Sequence, residues 1–133
     1  MQTKSFLTRE DAIRILDAAR AEAQHYNWAV SVAVVDDGGH PLAFERLDGC
    51  AAIGAYIATE KARTAALGRR ESRLYEEMIN AGRNAFLSAP GLNAMLEGGV
   101  PITVDGHVVG AVGVSGVKPD QDSQVARAGV AAA

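Results

Sequence analysis

Two tight glycine turns, Asp37-Gly38-Gly39 and Asp105-Gly106, each lie between strand-forming runs, and together they decide what this chain can fold into. Glycine reaches positive φ without a Cβ clash, so each turn reverses the chain within two or three residues. Residues 29–36 and 40–46 flank the first turn, and Gly99–Val104 and His107–Val114 flank the second. Strands joined this tightly pair antiparallel, which predicts an α+β domain rather than a doubly wound one. Apolar residues at helical spacing predict helices over 9–25, 51–67, 72–78 and 120–131. Thr8-Arg9-Glu10-Asp11 supplies an N-cap and an acidic first turn for the first of them. Gly54, Ala58, Ala62 and Ala65 line one stripe of the second, which lets its backbone approach a sheet or another helix closely. Asn84–Gly99, with Pro90-Gly91 and Gly98-Gly99 as breakers, is expected to be irregular.

A chain of 133 residues, 48% of them hydrophobic, is long enough to bury its own core as one domain spanning 1–133. The net charge of −3 and the absence of a basic patch argue against a nucleic-acid surface. Cys50 is the only cysteine, so no intramolecular disulfide and no cysteine-rich zinc site can form. The first eleven residues lack the apolar stretch of a secretory signal, and no run approaches membrane-spanning length. A reduced cytoplasm is the expected compartment, with no membrane partner.

The polar half of the first hairpin carries His40, Glu45, Arg46 and Asp48. A solvated edge strand accounts for such a cluster, and so does the wall of a site. An arginine held by carboxylates suits the clamping of a carboxylate through paired N–H bonds. Lys61 and Arg63 flank the small-residue stripe of the second helix. A lysine there either snorkels to solvent or, when half buried, binds an anion or forms an imine. The Gly98-Gly99 bend offers backbone N–H groups near a sheet edge, or is a β-bulge before a strand. His25 ends the first helix, where a cation complements the helix dipole. His107 follows the second turn and reads as exposed turn flank. Gly110, Gly113 and Gly116 lie inside a strand and form no dinucleotide fingerprint.

VAVVDDGGHPLAFERLDG at 32–49, EKARTAA at 60–66, GGVPI at 98–102 and VGAVGVSG at 109–116 occur in order over most of the chain. QD at 121–122 and VARAG at 125–129 follow them. Together they resemble the GlcG/HbpS-like, or haem-degrading, domain family, to which the C-terminal domain of PduO belongs. The resemblance implies a profilin-like fold with a five-stranded antiparallel sheet, the fifth strand coming from 42–48 or from the stretch before Gly98. It implies homo-oligomers as well, and haem as a ligand.

On that resemblance His40 becomes the first candidate for the iron ligand, with His25 second, since imidazole is a common axial donor. Arg46, Lys61 and Arg63, with the backbone of Gly98 and Gly99, become the partners of the propionates. A small carboxylate metabolite fits the same cations, with His40, Lys61 or Asp36 moving a proton. On either reading, Lys61→Met should cost ligand affinity and leave the fold intact, and Lys4→Met should do nothing.

Overall fold

The computed structural model describes residues 1–133. The chain begins with helix α1 (Arg9–His25), followed by the hairpin β1 (Ser31–Asp36) and β2 (Pro41–Arg46). Helices α2 (Ala52–Gly68) and α3 (Ser72–Asn80) and a 3-10 turn over Asn84–Ser88 precede the hairpin β3 (Gly99–Val104) and β4 (His107–Ser115). Helix α4 (Pro119–Val130) completes the fold.

The first helix starts where Thr8 Oγ1 accepts the Asp11 N–H at 3.1 Å, while the Asp11 carboxylate accepts the Thr8 N–H at 2.8 Å. These two bonds form a capping box. The Thr8 backbone bond first, then the Thr8 hydroxyl and Arg14, hold the Asp11 carboxyl down at about 2. The stability this group lends is therefore present above the ordinary carboxylate range and is lost as the pH falls toward 2.

The four strands are ordered β2-β1-β4-β3, and every neighbouring pair is antiparallel. Asp36 pairs with Gly110, so both hairpin turns project from the same end of the sheet. A fifth strand is absent. Residues 42–46 belong to β2 itself, and the stretch before Gly98 is bent by positive φ at Ala94 and Gly98. Ser72 Oγ also donates to the Leu96 carbonyl, which ties that stretch to α3.

Two layers of helix cover the sheet. Val32 and Val34 of β1, Val112 and Val114 of β4, and Val100 and Ile102 of β3 pack against Ile15 and Ala19 of α1 and Val125 and Ala126 of α4. On the opposite face, Ala33, Val35 and Ala111 meet Ala58, Ala62, Ala65 and Ala66 of α2. Because β1 is covered on both faces, it reads as a continuous apolar run instead of an alternating one. The alanine-rich stripe on α2 thus serves the sheet. It brings the helix backbone so close that Gly113 would place a Cβ 2.1 Å from the Ala58 carbonyl oxygen.

Candidate functional site

The two turns, the C-terminal end of α2 and the segment before α1 meet at one end of the sheet. A cleft of about 830 Å³ opens there, lined by Lys4, Phe6, Arg69, Thr103, His107 and Val108 among others. Its size lies in the range of small-molecule sites. Leu7 anchors the N-terminal segment, since it fills the space beside Gly110 that a side chain on that residue would need. Lys4 then reaches back to pair with Asp37 in the first turn. That hydrogen bond, with the Lys4 charge, lowers the Asp37 carboxyl pKa.

Arg69 ends α2 in the left-handed region, at φ 57°, a position that usually takes glycine. Its guanidinium makes no ion pair within the chain. Asp105 and Gly106 both have positive φ, as a tight hairpin requires, and they deliver His107 to the cleft. No carboxylate lines the cleft. An imidazole, a guanidinium and an ammonium at one mouth suit an anionic ligand.

His40 and Asp36 occupy the neighbouring turn at the same end. Asp36 Oδ1 accepts the N–H groups of Gly38 and His40, each at 2.9 Å, and lies 3.1 Å from His40 Nδ1. The carboxylate orients the ring, whose side chain is 78% exposed. Arg63 runs its stem beneath Gly39, and its Nε lies 3.9 Å from Glu60 Oε2. Neither of those two atoms has a hydrogen-bond partner.

Lys61, Gly98 and Gly99 are brought together, but inside the protein. Lys61 is only 4% exposed. Its Nζ donates to the Val114 carbonyl at 2.9 Å and to Asp122 Oδ2 at 3.0 Å. Asp122 Oδ1 in turn accepts the Val117 N–H. Burial pushes the Asp122 carboxyl up, against the downward pull of Lys61 and the Val117 N–H. A Cβ on Gly98 would fall 2.8 Å from the ammonium, and one on Gly99 would fall 2.2 Å from the Lys61 carbonyl oxygen. The glycine pair therefore admits the lysine, which is committed to α4. This corrects the expectation that Lys61 is a free cation whose loss would spare the fold.

Arg46 and His25 stand at the other end of the sheet. Arg46 pairs with Ser31, five residues and about 17 Å along β1 from Asp36. Its Nε donates to the Cys50 carbonyl at 3.0 Å. His25 closes α1 and packs edge-on against Tyr26. Neither joins His40. Phe6 and Arg69 carry no signal in the sequence, whereas Lys4, expected to be inert, and His107, expected to be plain turn flank, both line the cleft. The signal for His107 was available: in an antiparallel sheet with β1 beside β4, two hairpin turns project from one end.

The profile described as "Haem degrading protein HbpS-like" matches residues 7–131. The match covers nearly the whole chain, and this chain belongs to the HbpS-like family. It is 61% identical to Protein GlcG of Escherichia coli K12 over 115 residues, which are 86% of this chain and 85% of that one. Its fold matches Klebsiella pneumoniae protein ORFY with a TM-score of 0.91 at 27% identity, covering 99% of this chain and 93% of that one. A double mutant of Streptomyces reticuli HbpS matches with a TM-score of 0.88 at 33% identity, covering 98% and 89%. No helix is long and apolar enough to cross a membrane.

Proposed function

We propose that this protein binds haem or a related tetrapyrrole in the cleft at the two-turn end of the sheet. The observation that carries the reading is the cleft's donor set. His107 offers an imidazole to iron, Arg69 an unpaired guanidinium and Lys4 an ammonium shared with Asp37 to propionates, and Phe6 and Val108 offer apolar contact to a macrocycle. The family description, which names haem, favours this ligand over other anions of similar size. When bound, haem supplies ligand exchange and redox chemistry at iron. Lys4 and Arg69 would bind the propionates and His107 would offer the imidazole.

Titrating the purified protein with hemin and following the absorption spectrum tests this. His107→Ala is expected to change the spectrum of the bound species. Arg69→Gln should weaken binding about tenfold, the worth of one charge-assisted bond. His40→Ala and His25→Ala complete the series, because the family motif puts His40 forward and the helix end supplies His25. Binding and spectra equal to the parent in all four variants would sink the proposal.

The Asp36–His40 pair favours a second function, proton transfer on a small carboxylate metabolite, since the carboxylate fixes the ring and leaves it open to solvent. Turnover lost in His40→Ala with hemin binding intact would select it.

We propose in addition that the chain is a homo-oligomer. Ile53 and Tyr56 lie one turn apart on the outer face of α2, 62% and 74% exposed, and Phe44 is exposed on the edge strand β2. Covering such residues is the usual role of a subunit contact. Light scattering at micromolar concentration should give a mass above that of one chain, and a monomer would refute it.

A further inference from the structure

Glu71, at the start of α3, pairs with Arg73 and Arg127, and Glu77 pairs with Arg73. Glu76, between them on the same helix, enters no ion pair. It lines a groove of about 380 Å³ between α3 and the segment 87–96, and the rest of that lining is uncharged and mostly apolar. We infer that this groove binds a small primary amine with a hydrocarbon body.

Both walls are fixed by the fold. Glu76, Ile79 and Asn80 stand three and four positions apart, so α3 presents them on one face. The opposite wall is irregular beyond Ser88, yet it is pinned from behind. Thr64 Oγ1 donates to the Asn93 carbonyl at 2.8 Å, and Ser72 Oγ donates to the Leu96 carbonyl while accepting the Gly99 N–H. Thr64, Ser72 and Met95 are all buried. Ala94, in the same wall, holds φ at 48°, a left-handed conformation that an alanine keeps only where its surroundings impose it.

Ile79, Leu87, Leu92, Met95 and Leu96 give the groove its apolar surface. Leu87 is left 63% exposed, so a hydrocarbon seated there removes oily surface from water on both sides. An ammonium carries three N–H donors and no acceptor, which suits the Glu76 carboxylate and the side-chain carbonyls of Asn80 and Asn93. No lysine or arginine lines the groove to compete for Glu76, and the same carboxylate repels an acid. Nine residues form the lining, against the roughly 20–30 that a stable protein partner takes from each side, so the occupant is a small molecule. None of the nine belongs to the haem cleft or to the Ile53–Tyr56 patch.

NMR titration of methyl-labelled protein with hexylamine, hexanol and hexanoate tests the inference. Hexylamine should give saturable shifts at Ile79, Leu87, Leu92 and Met95. Hexanol should move the same signals about tenfold more weakly, the worth of one charge-assisted bond, and hexanoate should not bind. Glu76→Gln should bring hexylamine down to the level of hexanol with the melting temperature unchanged. Glu77→Gln, one residue along and outside the groove, should bind hexylamine like the parent. Hexylamine that fails to saturate would overturn the inference, as would hexanol or hexanoate binding as tightly. Equal hexylamine affinity in Glu76→Gln and Glu77→Gln would do the same. Groove signals that move with protein concentration alone would replace the amine with a second copy of the chain.

Discussion

Lys61→Met is expected to destabilise the fold by about 3–5 kcal/mol, the range for stripping one partner from a buried ion pair. For a chain of this size that lowers the melting temperature by roughly 10 °C or more. Methionine keeps the stem, so the loss is electrostatic: Asp122, 3% exposed, would retain only the Val117 N–H. The Val114 carbonyl would lose its side-chain donor as well. Burial already pushes the Asp122 carboxyl above its ordinary range with Lys61 present, and removing the ammonium leaves only the Val117 N–H to oppose that push. A raised carboxyl in the folded state means that the native protein holds a proton which the unfolded chain has released. Stability then falls as the pH rises from the ordinary carboxylate range through the folded value. The deficit of Lys61→Met relative to the parent should accordingly shrink as the pH is lowered from 8 to 5. Adding Asp122→Asn should recover much of the loss, because no buried charge remains. Thermal unfolding of the four proteins of this cycle measures the coupling. A Lys61→Met variant as stable as the parent at pH 8 would show that the pair does not hold α2 to α4.

The same lysine shows where a sequence is legible and where it is not. Turn chemistry and apolar spacing located all four helices and both hairpins, because each is set by residues within a few positions of one another. The small stripe on α2 was readable as close packing for the same reason. Whether Lys61 faces a ligand or a carboxylate depends on Asp122, sixty-one positions away, and no local pattern encodes that meeting. The Gly98-Gly99 pair carried the same ambiguity, since a glycine that admits a ligand and one that admits a lysine look alike in one dimension. The fifth strand was an expectation of the resemblance alone; the residues themselves specified four. Of the site, the Asp36–His40 turn was visible as turn chemistry beside a titratable ring. The cleft next to it was not, because it takes Lys4 from before α1, Arg69 from the end of α2 and His107 from the second hairpin.

Gly113→Ala is the second change expected to act strongly, through contact alone. Gly113 lies in the middle of β4, paired with Ala33 on one side and Gly99 on the other. Its new Cβ would stand 2.1 Å from the Ala58 carbonyl oxygen and 2.5 Å from the Ala62 nitrogen. Both are backbone atoms of α2, so no side chain can swing aside, and the helix itself must move off the sheet. Overpacking of this kind costs about 1–3 kcal/mol and at times more. The shift would loosen the contacts of Ala58, Ala62 and Ala65 with Ala33 and Ala111 together. It would also pull on Lys61, one residue from Ala62, and so on the ion pair to Asp122. Gly38→Ala provides the control: its Cβ would crowd only the ring of His40, an exposed side chain that can swing away at the cost of its bond to Asp36. That change should stay within about 0.5 kcal/mol of the parent. Chemical denaturation of both variants decides the matter. Equal midpoints for Gly113→Ala and Gly38→Ala would mean that α2 does not lie against β4 as closely as its alanine face implies.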